Sequence, residues 1–352
     1  MAGPSPSASS SPSPASPSPR FTRSPRALLR AWWTRRSPAA GAAVMATGIL
    51  SVGLHLAGHE ALSRITLALA CVGWLGLAAH FVVGLLRERT GWVAEAGTPG
   101  ALTSVAATTV LGTRFSDLGR QLLAEALLAL AALLWPMLLV LVVRHWRRRM
   151  PGAVLLSCVA TQGLAVLGAT LAAAETAAWL AHTALVLFWL GLVVYGLALA
   201  HFDLRQVIEG RGDQWVAGGA LAISALAGAK LLAADSARLN LWNDDDSGVL
   251  RAVTVALLVL DLAWYAVLLV AEVGWPRPRY DVRRWATVFP MGMTAAAALS
   301  VADASAADVP SFETPGEVLL WITVAVWAVV AAGAVRSAYA ADRPAITSTA
   351  PR

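Results

Sequence analysis

Ten long apolar runs, separated by short polar connections, decide what this chain can become. They fall at about 39–58, 61–86, 97–113, 121–143, 151–173, 176–200, 214–234, 249–273, 284–302 and 316–337. A helix of ~20 residues crosses a hydrocarbon core of ~30 Å. In lipid only helices or closed barrels satisfy every backbone polar group. Barrel strands alternate over about ten residues, and these runs do not. The sequence therefore predicts an all-α integral membrane protein with ten transmembrane helices. Charged residues make up 14% of the chain, against roughly a quarter in soluble domains. That excludes a globular cytosolic protein, and the short connections leave no room for a soluble catalytic domain. The third run is the weakest, opening on Thr98-Pro99-Gly100 and interrupted by threonines.

Residues 1–36 carry Ser-Pro repeats and scattered arginines, the composition of a disordered cytoplasmic tail. A ten-helix transmembrane domain is expected over 37–340 and a short cytoplasmic C-terminal tail over 341–352. Ten spans place both termini on one side, which the arginines test: 21 fall on the terminal side and five on the other. That asymmetry predicts cytoplasmic termini in the cell membrane. It also accounts for the formal charge of +6 without nucleic acid. Cys71 and Cys158 both lie inside apolar runs and show no disulfide or metal-ligand spacing. No cofactor or metal is expected.

The odd and even runs differ. Runs one, five, seven and nine are rich in Gly, Ala, Ser and Thr, whereas runs four and eight are rich in Leu, Val and Trp. Small residues let helix backbones approach closely in lipid, and bulky aliphatics suit a lipid-facing surface. The pattern predicts five helical hairpins, with an inner ring of odd helices inside an outer ring of even ones. Such an inner ring encloses either a tightly packed core or a narrow channel. Of seven phenylalanines only Phe289 falls in the interior of an odd run, and Pro290 follows it. Proline removes an intrahelical bond and kinks the helix. A ring turned toward the axis there would act as a hydrophobic constriction; turned elsewhere it would be a packing aromatic.

Five segments then suggest a family. Val44-Met-Ala-Thr-Gly-Ile-Leu-Ser-Val52, Val105-Ala-Ala-Thr-Thr-Val-Leu-Gly112, Val159-Ala-Thr-Gln-Gly-Leu-Ala-Val-Leu-Gly168, Gly219-Ala-Leu-Ala-Ile-Ser-Ala-Leu-Ala-Gly228 and Trp285-Ala-Thr-Val-Phe-Pro-Met-Gly-Met293 stand one per odd run. Together, across about 38–340, the chain resembles the tellurite-resistance/dicarboxylate transporter family. That family includes plant slow anion channels, fungal malate permeases and sulfite efflux pumps. The resemblance implies a homotrimer with one pore through the five hairpins of each protomer. It also implies that the phenylalanine of the ninth helix, here Phe289, occludes that pore. Phe289 and Pro290 thus become the gate candidates. Thr47, Gly48, Thr109, Gln162, Gly219, Lys230 and Gly292 become the candidates for its lining. The third helix departs from the pattern, reading Gly100-Ala-Leu-Thr103 where the family is often aromatic, and Lys230 is a second departure.

Lys230, the only lysine, stands ~6 Å from the outer end of run seven by helical rise. Facing the axis it would favour anions; otherwise it snorkels to the surface. Asp261 lies near the middle of run eight, either a proton-coupling carboxylate or a hydrogen-bonded group joining helices. Gln162 sits mid-run and either lines the pore or bonds across the ring. His55, His80 and His182 lie on separate runs without paired carboxylates and are read as structural. Asp244-Asp245-Asp246, beside Asn240 and Asn243, is read as a solvated turn. The leading expectation is an anion channel for small inorganic or organic anions. The alternatives are a proton-coupled carrier of a C4-dicarboxylate, sulfite or tellurite-type oxyanion and, more remotely, a membrane-embedded enzyme, for which clustered acid–base residues are wanting.

Overall fold

The computed structural model describes residues 40–87, 89–210, 212–235, 241–276, 280–304 and 312–342. The N-terminal tail, Asn240 and all but two residues of the C-terminal tail lie outside them. Among the described residues every named element is helical, with one isolated bridge between Met150 and Phe202. The long helices are α1 (Ala40–Leu56), α2 (Glu60–Arg87), α3 (Thr103–Asp117), α4 (Gln121–Val143), α5 (Leu156–Glu175), α6 (Ala178–His201), α7 (Val216–Ala234), α8 (Asp244–Gly274), α9 (Trp285–Ala304) and α10 (Glu313–Asp342). Eight of these, with their leading turns, are long and apolar enough to cross a membrane. The two that fall short of the expected ten are α1, with 17 residues, and α3, with 15. Pro99 opens a 3₁₀ turn over Pro99–Leu102, so the α-helix starts only at Thr103. Even with that turn counted, its threonines, serines, Arg114 and Asp117 keep α3 less apolar than the other long helices.

Burial divides the helices by parity. In the best apolar windows of α5, α7 and α9, 100%, 83% and 89% of residues are buried, against 28% or less in the even helices. Twelve of the fifteen residues of α3 are buried, and α1 is buried along most of its length. Each odd helix packs on the even helix that follows it, and the odd helices also touch one another. The contacts run α1 to α3, α3 to α5, α5 to α7, α7 to α9 and α9 back to α1. Small residues make these seams. A Cβ on Gly48 of α1 would stand 2.9 Å from Val110 of α3, and one on Gly219 of α7 would stand 2.9 Å from Pro290 of α9. One on Gly292 of α9 would come within 3.0 Å of Ile49 of α1, and one on Gly163 of α5 would collide with the Thr109 hydroxyl of α3. Backbones approach this closely only where the side chain is missing.

Two elements differ from expectation. Asp244, Asp245 and Asp246 are the first turn of α8 rather than a solvated turn, because the Asn243 side chain accepts from the Asp246 N–H at 2.8 Å. Acidic residues at that end also match the helix dipole. The third helix reaches Asp117, beyond the expected 113, and carries Arg114 into the protein with 0% exposure. Arg114 Nη2 donates to Glu60 Oε2 of α2 at 2.7 Å, and its Nε donates to Ser63 Oγ at 2.9 Å. Such pairing is what lets a charge leave water.

Candidate functional site

Two cavities lie one above the other among the odd helices. A vestibule of about 210 Å³ opens where those helices begin. Met45 of α1, Thr103 of α3, Leu156 of α5, Val216 of α7 and Phe289 of α9 all contribute to its wall. Deeper in the helices a second space is walled by Val52, Thr109, Gly163, Ile223 and Met293, again one residue or more from each odd helix. It has only about 10 Å³ open to the centre of a water molecule, barely enough for one. Phe289 stands four residues before Met293, ~6 Å along the helix axis. It lines the vestibule with 1% of its surface exposed.

Local chain geometry builds the vestibule. Helices α3, α5, α7 and α9 are each preceded by a 3₁₀ turn, at Pro99–Leu102, Gly152–Leu155, Asp213–Trp215 and Val282–Arg284. A Cβ on Gly152 would collide with the Asp213 carbonyl, so the entries to α5 and α7 touch backbone to backbone. Gly212, at φ 126°, brings α7 within reach of the Arg283 carbonyl ahead of α9. Only glycine adopts that angle without strain. The N-terminal ends of the helices therefore converge on one space, each with the positive end of its peptide dipoles. Asp213 and Arg283 also line it. Asp213 is 9% exposed, and its Oδ1 has no hydrogen-bond donor among the described residues.

The residues singled out in the sequence separate into three groups. Phe289 and Thr109 stand in the cavity walls. Gly48, Gly219, Gly292 and Pro290 form the helix seams described above. The others line neither cavity. Thr47 Oγ1 accepts from Trp327 Nε1 of α10 at 3.0 Å, so it points outward rather than into the axial space. Gln162 Nε2 donates to the Phe188 carbonyl of α6 at 3.0 Å and lies against Gly191, so it too faces the even layer. Lys230 is half-buried near the far end of α7. Asp261 turns toward α7, 3.3 Å from where a Gly218 Cβ would stand. Neither of its oxygens has a donor in bonding geometry among the described residues. The nearby Thr294 hydroxyl instead donates to the Pro290 carbonyl at 3.1 Å.

Sequence reasoning missed Asp213, Arg283 and the buried Arg114–Glu60 pair. A signal for the vestibule was present, in the Pro-Gly pairs Pro99-Gly100 and Pro151-Gly152 that open the third and fifth runs. For Arg114 there was none, because a polar residue at the edge of an apolar run reads as loop.

The chain is similar to two curated proteins of Mycobacterium tuberculosis, Uncharacterized membrane protein MT1776 of strain CDC 1551 / Oshkosh and Uncharacterized membrane protein Rv1735c of strain ATCC 25618 / H37Rv. Each is 32% identical over 121 residues, which is 33% of this chain and 58% of the relative. The match thus spans little more than half the length of those relatives. A family model described as voltage-dependent anion channel matches residues 35–335. This multi-pass membrane protein belongs to the voltage-dependent anion channel family.

Proposed function

We propose that the chain is an anion channel whose ten long helices all cross the cell membrane as five hairpins, with the odd helices around the conducting path. The observation that carries this reading is the pair of axial cavities, each walled by all five odd helices, with Phe289 in the wall of the vestibule. Their reach supports α1 and α3 as spans. The 17 residues of α1 reach ~25 Å, and α3 with its leading 3₁₀ turn reaches ~30 Å. Phe289 is the gate and Pro290 the kink that aims it. Convergent helix N-termini and Arg283 favour small anions in the vestibule. The arginine asymmetry supports cytoplasmic termini, and the family resemblance supports a homotrimer. Single-channel recording in a planar bilayer tests the gate: Phe289→Ala raises anion conductance, and an unchanged or lower conductance removes Phe289 from that role.

One observation favours a second reading, a proton-coupled carrier of a C4-dicarboxylate, sulfite or tellurite-type oxyanion. Asp261 is a buried carboxyl without a bonded donor among the described residues, and the nearby Thr294 hydroxyl donates to the Pro290 carbonyl. Intramembrane carboxyls of this kind serve proton relays. Asp261→Asn then abolishes pH-driven uptake into proteoliposomes; intact uptake assigns Asp261 to helix packing.

A further inference from the structure

A third cavity faces the lipid rather than the axis. It is a groove of about 320 Å³ between α2, α4 and the short helix Arg89–Ala96, about twice the ~150 Å³ apolar cavity that admits benzene. Trp74, Leu77, Phe81, Trp92, Leu130 and Leu134 line it. Helices α2 and α4 are among the least buried in the protein, so the groove opens toward hydrocarbon, which cannot leave an open apolar trough empty.

Three features identify what fills it. The first is length. Trp74 lies at the middle of α2, and from there to Arg87 is ~20 Å by helical rise, against ~15 Å for one leaflet of the hydrocarbon core. The groove therefore runs from mid-membrane to the headgroup level of the leaflet on the side where α1 begins. The second is the mouth. Phe81 and Trp92 pack edge to face there at 5.0 Å, and tryptophan is enriched at membrane interfaces. The third is charge. The His145 ring stands 3.3 Å from the place of a Gly97 Cβ, and the exposed Arg144, Arg147, Arg148 and Arg149 flank His145 in the chain. Glu95 lines the same mouth, outnumbered by these four arginines.

We propose that this groove binds an anionic phospholipid of that leaflet, one acyl chain along Trp74–Phe81 and the phosphate on the arginines after α4. Its occupant touches the vestibule wall. Gly100 and Thr103 line both the groove and the vestibule, and the Thr103 hydroxyl fills the space a Gly41 side chain would need. The lipid thus packs against the α1–α3 seam from outside.

Photo-crosslinking of the full chain with a diazirine-tailed phosphatidylglycerol, followed by peptide mass spectrometry, tests the site. Labelling is expected to concentrate on residues 74–104 and 130–134, with unlabelled phosphatidylglycerol competing at least about tenfold better than phosphatidylcholine. Ala78→Trp, which fills the groove, removes that labelling and spares labelling elsewhere. The combined change of Arg147, Arg148 and Arg149 to Gln makes the two competitors equal. Even labelling of all the lipid-facing helices, equal competition in the unmodified protein, or adducts joining two copies of the chain across the groove would each overturn the proposal. The competition in the unmodified protein decides even where Ala78→Trp does not fold.

Discussion

Trp327 of α10 donates its indole N–H to the Thr47 hydroxyl of α1 at 3.0 Å, joining the last long helix to the first across 280 residues. The relationship recurs around the molecule. Trp74 of α2 donates to Thr108 of α3 at 2.9 Å, and Trp135 of α4 donates to Thr161 of α5 at 3.0 Å. In each case an even helix bonds the next odd helix, and the last one returns to the first. The chemistry suits a dry interior. An indole N–H in lipid needs an acceptor. Each threonine already donates to the carbonyl four residues back, at 2.7–2.8 Å, leaving its oxygen free to accept.

Removing one of these bonds should cost little but measurably. Trp327→Phe keeps an aromatic body and deletes the donor, with an expected loss of about 1 kcal/mol. Thermal unfolding in detergent should show a lower midpoint for this variant. Trp179→Phe, at a site 71% exposed, should leave the midpoint in place.

Gly219 and Pro290 meet closely in the α7–α9 seam. Gly219→Val puts a branched side chain where even a Cβ would be 2.9 Å from the proline ring. Overpacking of this kind costs about 1–3 kcal/mol. Because the displaced residue sits beside Phe289, the conductance should change along with the midpoint.

Asp261 offers a test with opposite signs for stability and coupling. Its oxygens are buried without bonded donors among the described residues, so Asp261→Leu should raise the unfolding midpoint, by the equivalent of about 1–3 kcal/mol. A lower midpoint would mean that the carboxyl holds helices together.

The Glu60–Arg114 pair should behave as a buried pair with one wet end. Glu60→Gln leaves Arg114 enclosed with a weaker partner and should lower the midpoint. The double change Glu60→Gln with Arg114→Met should recover part of the loss, because the enclosed charge is then gone. Equal loss in the single and double variants would separate the two residues energetically.

Side-chain volume at position 289 should order the conductance. Phe289→Ala is expected to exceed Phe289→Leu, and both to exceed the unmodified protein, the alanine variant by on the order of tenfold, equivalent to ~1.4 kcal/mol off the barrier. Current through a planar bilayer at fixed voltage measures this order, and a flat series would place the barrier elsewhere along the axis.

What the sequence determined by itself follows from hydropathy and side-chain size. A long apolar run must be a helix in lipid, and a run of small residues must be a helix others approach closely. These two rules located the long helices and separated the odd from the even. Tertiary structure alone decided which way each side chain of an odd helix faces. Thr108 and Thr109 are adjacent, yet the first takes the Trp74 bond and the second lines the axial cavity. About 100° of helical rotation separates neighbouring residues, and the sequence holds no mark of it. In water an apolar stripe would reveal the buried face; in a bilayer the outside is as apolar as the inside. Thr47, read from its motif as lining the pore, faces a tryptophan for the same reason. Arg114 was hidden likewise, since only its meeting with Glu60 from another helix makes its burial affordable.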